Sequence, residues 1–214
     1  MPSAIWTILY DLPAETRKDY LAWFHDVHIP EKLARPGYTW AAHYQVVGEG
    51  DEMSCIAMFG GETTAVFHNP SPAQLAPKQP PETKAMMGYR ANSRALILAG
   101  EWAVDGAGDM LPEDPAVSAP VISLALCDAS GEDMDFNAWL AQQHLPALAG
   151  ADGFLGLRKL LATTGGARHA LIHQYGAETA PFAVAGDDEW SDRVAGYLQS
   201  PMGAPVTARR IWPE

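Results

Sequence analysis

Short apolar runs broken by turn residues alternate along this chain with stretches of helical spacing. "AIWTILYDL" (4–12) is an apolar run closed by turn residues and reads as a strand. Asp11 and Pro13 suit a helix start. Beyond them, Tyr20, Trp23 and Val27, and Leu21, Phe24 and His28, fall at the spacings of a helix face. Pro30 biases Ile29 out of helical geometry, so the helix is expected to end there. Pro36-Gly37 is a turn, "YTWAAHYQVV" a second strand, and "GEGDE" a hairpin into the third, "MSCIAMF". The Pro-rich "NPSPAQLAPKQPP" reads as a loop before a short helix near Glu82 to Tyr89, and "RALILAGEWAV" as a fourth strand.

The second half runs through the same order. "PVISLALCD" is followed by a helix from about Asp133 to His144, then by "FLGLRKLLATT" and "ARHALIHQY" around Gly165-Gly166. A helix is expected around Trp190, Val194 and Tyr197, and "VTARRIW" is the last strand. Shifting the chain by 116 residues places Trp23 on Trp139, His28 on His144, Pro30 on Pro146, Gly37 on Gly153 and Gly60 on Gly176. No gap is needed from Ile5 to Gly60. Matches at rare residues such as Trp and His point to an internal duplication. The Gly-, Pro- and acid-rich "DGAGDMLPEDPAVSAP" reads as a linker. The expected organisation is a first repeat over 1–105, a linker over 106–119 and a second repeat over 120–214. Each repeat is βαββαβ, the ferredoxin-like arrangement of an α+β fold.

Composition narrows the function classes. Of the 214 residues, 48% are hydrophobic, ordinary for a globular core. The net charge of -12, with no basic run, argues against nucleic acid and acidic membranes as partners. Cys55 and Cys127 sit in apolar strands and read as buried free thiols. The N-terminus lacks the basic region of a signal peptide, and no apolar run approaches the roughly 20 residues of a membrane span. A cytoplasmic location is the expectation.

The polar residues of "WFHDVHIPEKLARPGY" are the first candidates for chemistry. His28 is spaced to point toward the sheet, and a buried imidazole tuned near neutrality moves protons. His25, Asp26 and Glu31 invite a metal reading, but no HExxH spacing occurs and no metal site is expected. On the second strand, strict alternation puts Trp40, Ala42 and Tyr44 on one face and Ala41 and His43 on the other. In the second half, His169, His173 and Tyr175 share one parity, with outward imidazoles the simplest reading; His173, central in its strand, is the better pocket candidate.

The helix-end pattern W-x-x-x-x-H-[hydrophobic]-P, followed by Gly and a strand, stands as "WFHDVHIPEKLARPGYTWAAHY" and "WLAQQHLPALAGADGFLGLRKL". It resembles the EthD-like family of the dimeric α+β barrel superfamily. The resemblance implies two ferredoxin-like repeats closing an intramolecular dimeric α+β barrel. It also implies cofactor-independent decarboxylation, elimination or isomerisation of a phenolic, polyketide-like or aromatic-degradation compound. In that reading His28, His43 and Tyr44 are the catalytic candidates, and Trp23, Trp40, His25, His144 and His173 the substrate-binding ones. The alternatives are a non-catalytic binder of an apolar ligand and, less favoured, a haem-binding relative. A homodimer of the whole chain stays open.

Overall fold

A computed structural model describes residues 4–48, 53–106, 119–129, 131–148, 151, 153–176 and 205–213. The centre of the expected linker and the helix expected around Trp190, Val194 and Tyr197 lie outside the described residues. The chain divides into two compact units. The first holds Met1–Gly100, Thr163–Gly165 and Arg210–Glu214; the second holds Glu101–Ala162 and Gly166–Arg209.

In the first unit, strands β1 (Ala4–Leu12), β2 (Tyr38–Val46), β3 (Met53–Gly61) and β4 (Ala91–Asp105) pair antiparallel in the order β4-β1-β3-β2. Even positions of β1 (Trp6, Ile8, Tyr10, Leu12) and odd positions of β3 (Met53, Cys55, Ala57, Phe59) share a core with Tyr20, Trp23, Phe24 and Ile29 of the helical segment. Odd positions of β1 and even positions of β2 and β3 turn to the opposite face, as strand alternation requires. Trp40 lies there against Gly60, where a Cβ would sit 2.0 Å from the indole Nε1.

The second unit carries β5 (Val121–Cys127), β6 (Phe154–Thr164), β7 (His169–Tyr175) and β8 (Val206–Trp212), ordered β8-β5-β7-β6. Both units thus bury one apolar face of a four-stranded antiparallel sheet under a helical segment. Among the described residues no helix is long and apolar enough to cross a membrane.

Three sequence expectations change. First, the helix does not end at His28. Helix α1 (Ala14–Trp23) passes through a π-helical turn over Phe24–His28 into α2 (Ile29–Leu33), with Ile29 N–H bonded to the Phe24 carbonyl. The second unit does the same over Leu140–His144, with Leu145 N–H on the Leu140 carbonyl. Each wide turn ends just before a proline, which has no N–H to give and whose ring would strike the carbonyl four residues back in a regular helix. The widened turn carries the chain past Pro30 and Pro146 without a break.

Second, the Pro-rich stretch, which follows the short helix α3 (Ala65–His68), itself holds a short helix, α4 (Pro72–Leu75), opened by a reciprocal Ser71–Gln74 capping box and continued by a 3-10 turn over Ala76–Lys78. Third, the constant 116-residue offset does not hold on every strand. The second strand of each unit has an irregularity at its start, between Tyr38 and Trp40 and between Phe154 and Gly156. Matching these keeps His43 with Lys159, but places Tyr10 opposite Cys127, Cys55 opposite His169 and Gly60 opposite Gln174 rather than Gly176. A one-residue slip turns every strand side chain to the other face, so the ungapped alignment misassigns β1 against β5.

The Trp40–Gly60 contact gives a direct test of this packing. Gly60→Ala is expected to lower stability by about 1–3 kcal/mol through overpacking. Trp40→Leu in the same chain should recover part of that loss. Urea midpoints of the two variants measure both.

Candidate active site

On the helix-facing side of the first sheet, small residues on the middle strand open a space. Tyr10 pairs with Cys55, and His43 with Ala57, across β3. Thiol and methyl leave room for the two larger side chains to lean over β3 and meet. Tyr10 Oη lies 2.8 Å from His43 Nε2, and His43 Nδ1 lies 2.8 Å from His25 Nε2. Tyr10 and His43 are fully buried, while His25 is half-buried. The series therefore leads from the core toward solvent. Both hydrogen-bond directions are chemically allowed along it, because a hydroxyl and a neutral imidazole each donate and accept.

Arg90, just before β4, caps the inner end. Its Nε donates to Tyr20 Oη at 2.5 Å, and its guanidinium carbon stands 4.2 Å from the Tyr10 ring centre and 5.2 Å from that of Phe24. The Tyr10 and Tyr20 rings pack edge-on with their centres 5.7 Å apart. Burial pushes both phenols above their usual range; Arg90 opposes this without reversing it.

His28 belongs to the same space. Its ring packs 4.7 Å from Trp23 and 5.4 Å from Phe24, which in turn lies edge-on to His43 at 4.8 Å. His28 Nδ1 is buried with no hydrogen-bond partner, and so are Trp23 Nε1 and Arg90 Nη2. Burial, reinforced by Lys32, Arg90 and Arg35, lowers the His28 pKa to about 3. His43 is held well below its usual value by burial first, then by His25 and Arg90. Both rings are neutral bases at pH 7. Burial also drives the Cys55 thiol up to about 12, an inert side chain as expected.

The second unit holds a different set at the matching level. His144 Nε2 lies 2.7 Å from His173 Nε2, and His173 Nδ1 lies 3.3 Å from the Ser123 carbonyl. A carbonyl only accepts, so His173 carries its proton on Nδ1 and takes the one on His144 Nε2. Burial lowers His144 to about 4 and His173 well below its usual value. Lys159, where the first unit has His43, is buried and ion-paired with Glu101. His169 bonds Asp133 at 2.8 Å. His169 and His173 are buried under the helix, not turned outward: they share the face of β7 that carries Leu171, which packs in the core with Phe136 and Trp139.

Of the residues singled out from sequence, Trp23, His25, His28 and His43 gather in the first unit, and His144 and His173 in the second. Trp40 and Tyr44 lie on the opposite face of the first sheet and do not join His43. Tyr10, Tyr20 and Arg90 were missed. Tyr10 shows only as one aromatic in an apolar strand, and Arg90 as a charge at a strand start; nothing local signals that they meet. Among the described residues no three His, Cys, Asp or Glu side chains converge in a metal-holding group.

No family model matches the chain, and no curated protein matches its sequence. Solved structures do match its fold. A candidate monooxygenase from Fusobacterium nucleatum superposes with a TM-score of 0.60 at 10% identity, over 98% of this chain and 91% of that one. An anthrone oxidase-like protein gives 0.58 at 11% identity, over 97% and 90%. A candidate chlorite dismutase gives 0.55 at 11% identity, over 99% and 96%. At such identities the likeness is one of fold: the chain shares the α+β fold of these proteins.

Proposed function

We propose that the chain is an EthD-like protein built of two duplicated ferredoxin-like repeats, over 1–105 and 120–214 with a linker between. In this reading it is an enzyme whose first repeat moves protons on a phenolic or related carbonyl compound, by decarboxylation, elimination or isomerisation. The observation that carries the reading is the Tyr10–His43–His25 series, a hydrogen-bonded path between a buried phenol and a half-exposed imidazole. His28, neutral and with an unpartnered ring nitrogen, is the general base or acid at the substrate. His43 carries the proton on toward His25. Arg90 supplies positive charge to a substrate that develops negative charge as it loses its proton. A phenolic ring delocalises that charge itself, so the residues present suffice for the proton steps. Tyr44, which lies across the sheet, has no part in this scheme.

The anthrone oxidase-like relative suggests a probe, since anthrone is a ketone with an acidic C–H beside aromatic rings. Hydroxybenzoates are the second probe class. Turnover of either should fall about 10²–10⁴-fold in His28→Gln, the range of a lost general acid–base group. Tyr10→Phe should lower kcat while leaving KM within about twofold, because it breaks the path and not the substrate contact. Binding without turnover of any probe would favour the non-catalytic binder.

The neutral imidazoles also set the acid limit of the fold. His28 at about 3 and His144 at about 4 lie below the unfolded value of 6.5. The unfolded chain therefore binds more protons than the native one between those values. Stability should be full above pH 6.5 and decline as pH falls toward 3, by about 1.4 kcal/mol for each pKa unit involved. Urea midpoints at pH 7.5, 5.5 and 4.5 should descend in that order. His28→Gln should flatten the slope.

A further inference from the structure

The helix-facing side of the first sheet holds more positive charge than it balances. Lys32 is 4% exposed, its ammonium 5.3 Å from the Trp6 ring centre, and no carboxylate pairs with it among the described residues. Arg90 is half-buried against the rings of Tyr10, Tyr20 and Phe24, and its one side-chain hydrogen bond goes to a phenol. Buried cations are ordinarily paired, since removing a charge from water costs several kcal/mol. The second unit obeys that rule: its buried Lys159 has Glu101. The first unit departs from it within a protein of net charge -12, where anions to spare are available.

Three buried polar atoms without partners lie around the same Phe24 ring: Trp23 Nε1, His28 Nδ1 and Arg90 Nη2. Trp23 and His28 are 5% and 4% exposed, and their rings stand 6.2 and 5.4 Å from Phe24. The indole and the guanidinium only donate hydrogen bonds. Their missing partner is an acceptor, and the cations ask that it be negative.

We propose that this space between the first sheet and its helix binds a small aromatic carboxylate, its oxygens on Arg90 Nη2 and Trp23 Nε1 with Lys32 supplying the second positive charge, and its ring against Phe24 and His28. This rests on the same site as the proposed function and names its substrate class. The carboxylate completes the hydrogen bonding of the orphaned donors and supplies the missing countercharge. In the enzyme reading, it is also the group that a decarboxylation would release.

The groups facing Lys32 are His28 on the preceding turn, Glu31 and Arg35 on its own segment, and Arg90 from the start of β4. Burial first, then Arg35 and Arg90, lowers Lys32 to about 8. A bound anion favours the ammonium form. Binding at pH 8 should therefore take up a fraction of a proton, and affinity should fall as pH rises beyond 8.

The test compares 4-hydroxybenzoate with its neutral counterpart 4-hydroxybenzamide on the full chain, by calorimetry and thermal shift. The carboxylate is expected to bind at least tenfold tighter. Arg90→Gln and Lys32→Met should each erase most of that preference while retaining the amide's affinity. Without ligand, neither variant should melt far below the parent, because each removes an uncompensated charge. Calorimetry in two buffers of different ionisation enthalpy should report the proton uptake, absent in Lys32→Met. Equal affinity for the two probes, or a preference that survives both substitutions, overturns the proposal, as does a large loss of melting temperature in both variants. Selective carboxylate binding without turnover would sink the enzyme reading alone; turnover of neutral phenols without carboxylate preference would sink this one alone.

Discussion

Removal of water from the helix-facing side of the first sheet governs the rest of the site. The aromatic rings of Tyr10, Tyr20, Trp23, Phe24 and Phe59 exclude solvent there, and every polar group behind them is held in the form that burial favours. His28 and His43 are neutral, Tyr10 and Tyr20 keep their protons, and Cys55 stays a thiol. Arg90 cannot give up its charge, so it leans on aromatic faces and a phenol oxygen. The same desolvation that keeps an imidazole neutral makes an unpaired cation expensive. The two facts point to one occupant.

The two units show how one frame carries two polar sets. Trp23 and Trp139, His28 and His144, and Pro30 and Pro146 repeat, and with them the wide turn that takes the helix past its proline. That turn sets each histidine under its tryptophan, at ring distances of 4.7 and 4.5 Å. The partners differ. The first unit joins tyrosine to two imidazoles; the second locks its histidine pair to a backbone carbonyl and neutralises Lys159 with Glu101. The buried lysine of the second unit has its carboxylate, and Lys32 of the first has none among the described residues, so an anionic ligand gains most by binding in the first unit.

Much of the architecture was legible in the pattern of apolar runs. Strand β1 begins and ends where "AIWTILYDL" does, β6 where "FLGLRKLLATT" does and β8 where "VTARRIW" does, because turn residues bracket each run. The helix end misled, since a proline usually stops a helix and here a π-turn accommodates it. Ungapped alignment misled on the strands, since a match of Gly60 to Gly176 satisfies identity but not strand register. His28 was legible because it recurs with its tryptophan and proline.

By itself the sequence determined the order of the described elements, the recurrence of Trp, His and Pro at a fixed spacing, the buried thiols and the helix-end histidines. All of these follow from local periodicity, turn chemistry and self-similarity. Only the tertiary structure decided which polar groups meet. Tyr10, His25, His43 and Arg90 come from a first strand, a helix, a second strand and the start of a fourth, and their contacts depend on strand register and on small residues at Cys55 and Ala57. Register is a relation between segments far apart in the chain. No single stretch encodes it, and so Tyr10 and Arg90 had no mark in the sequence alone, and nothing there joined them to His25 and His43.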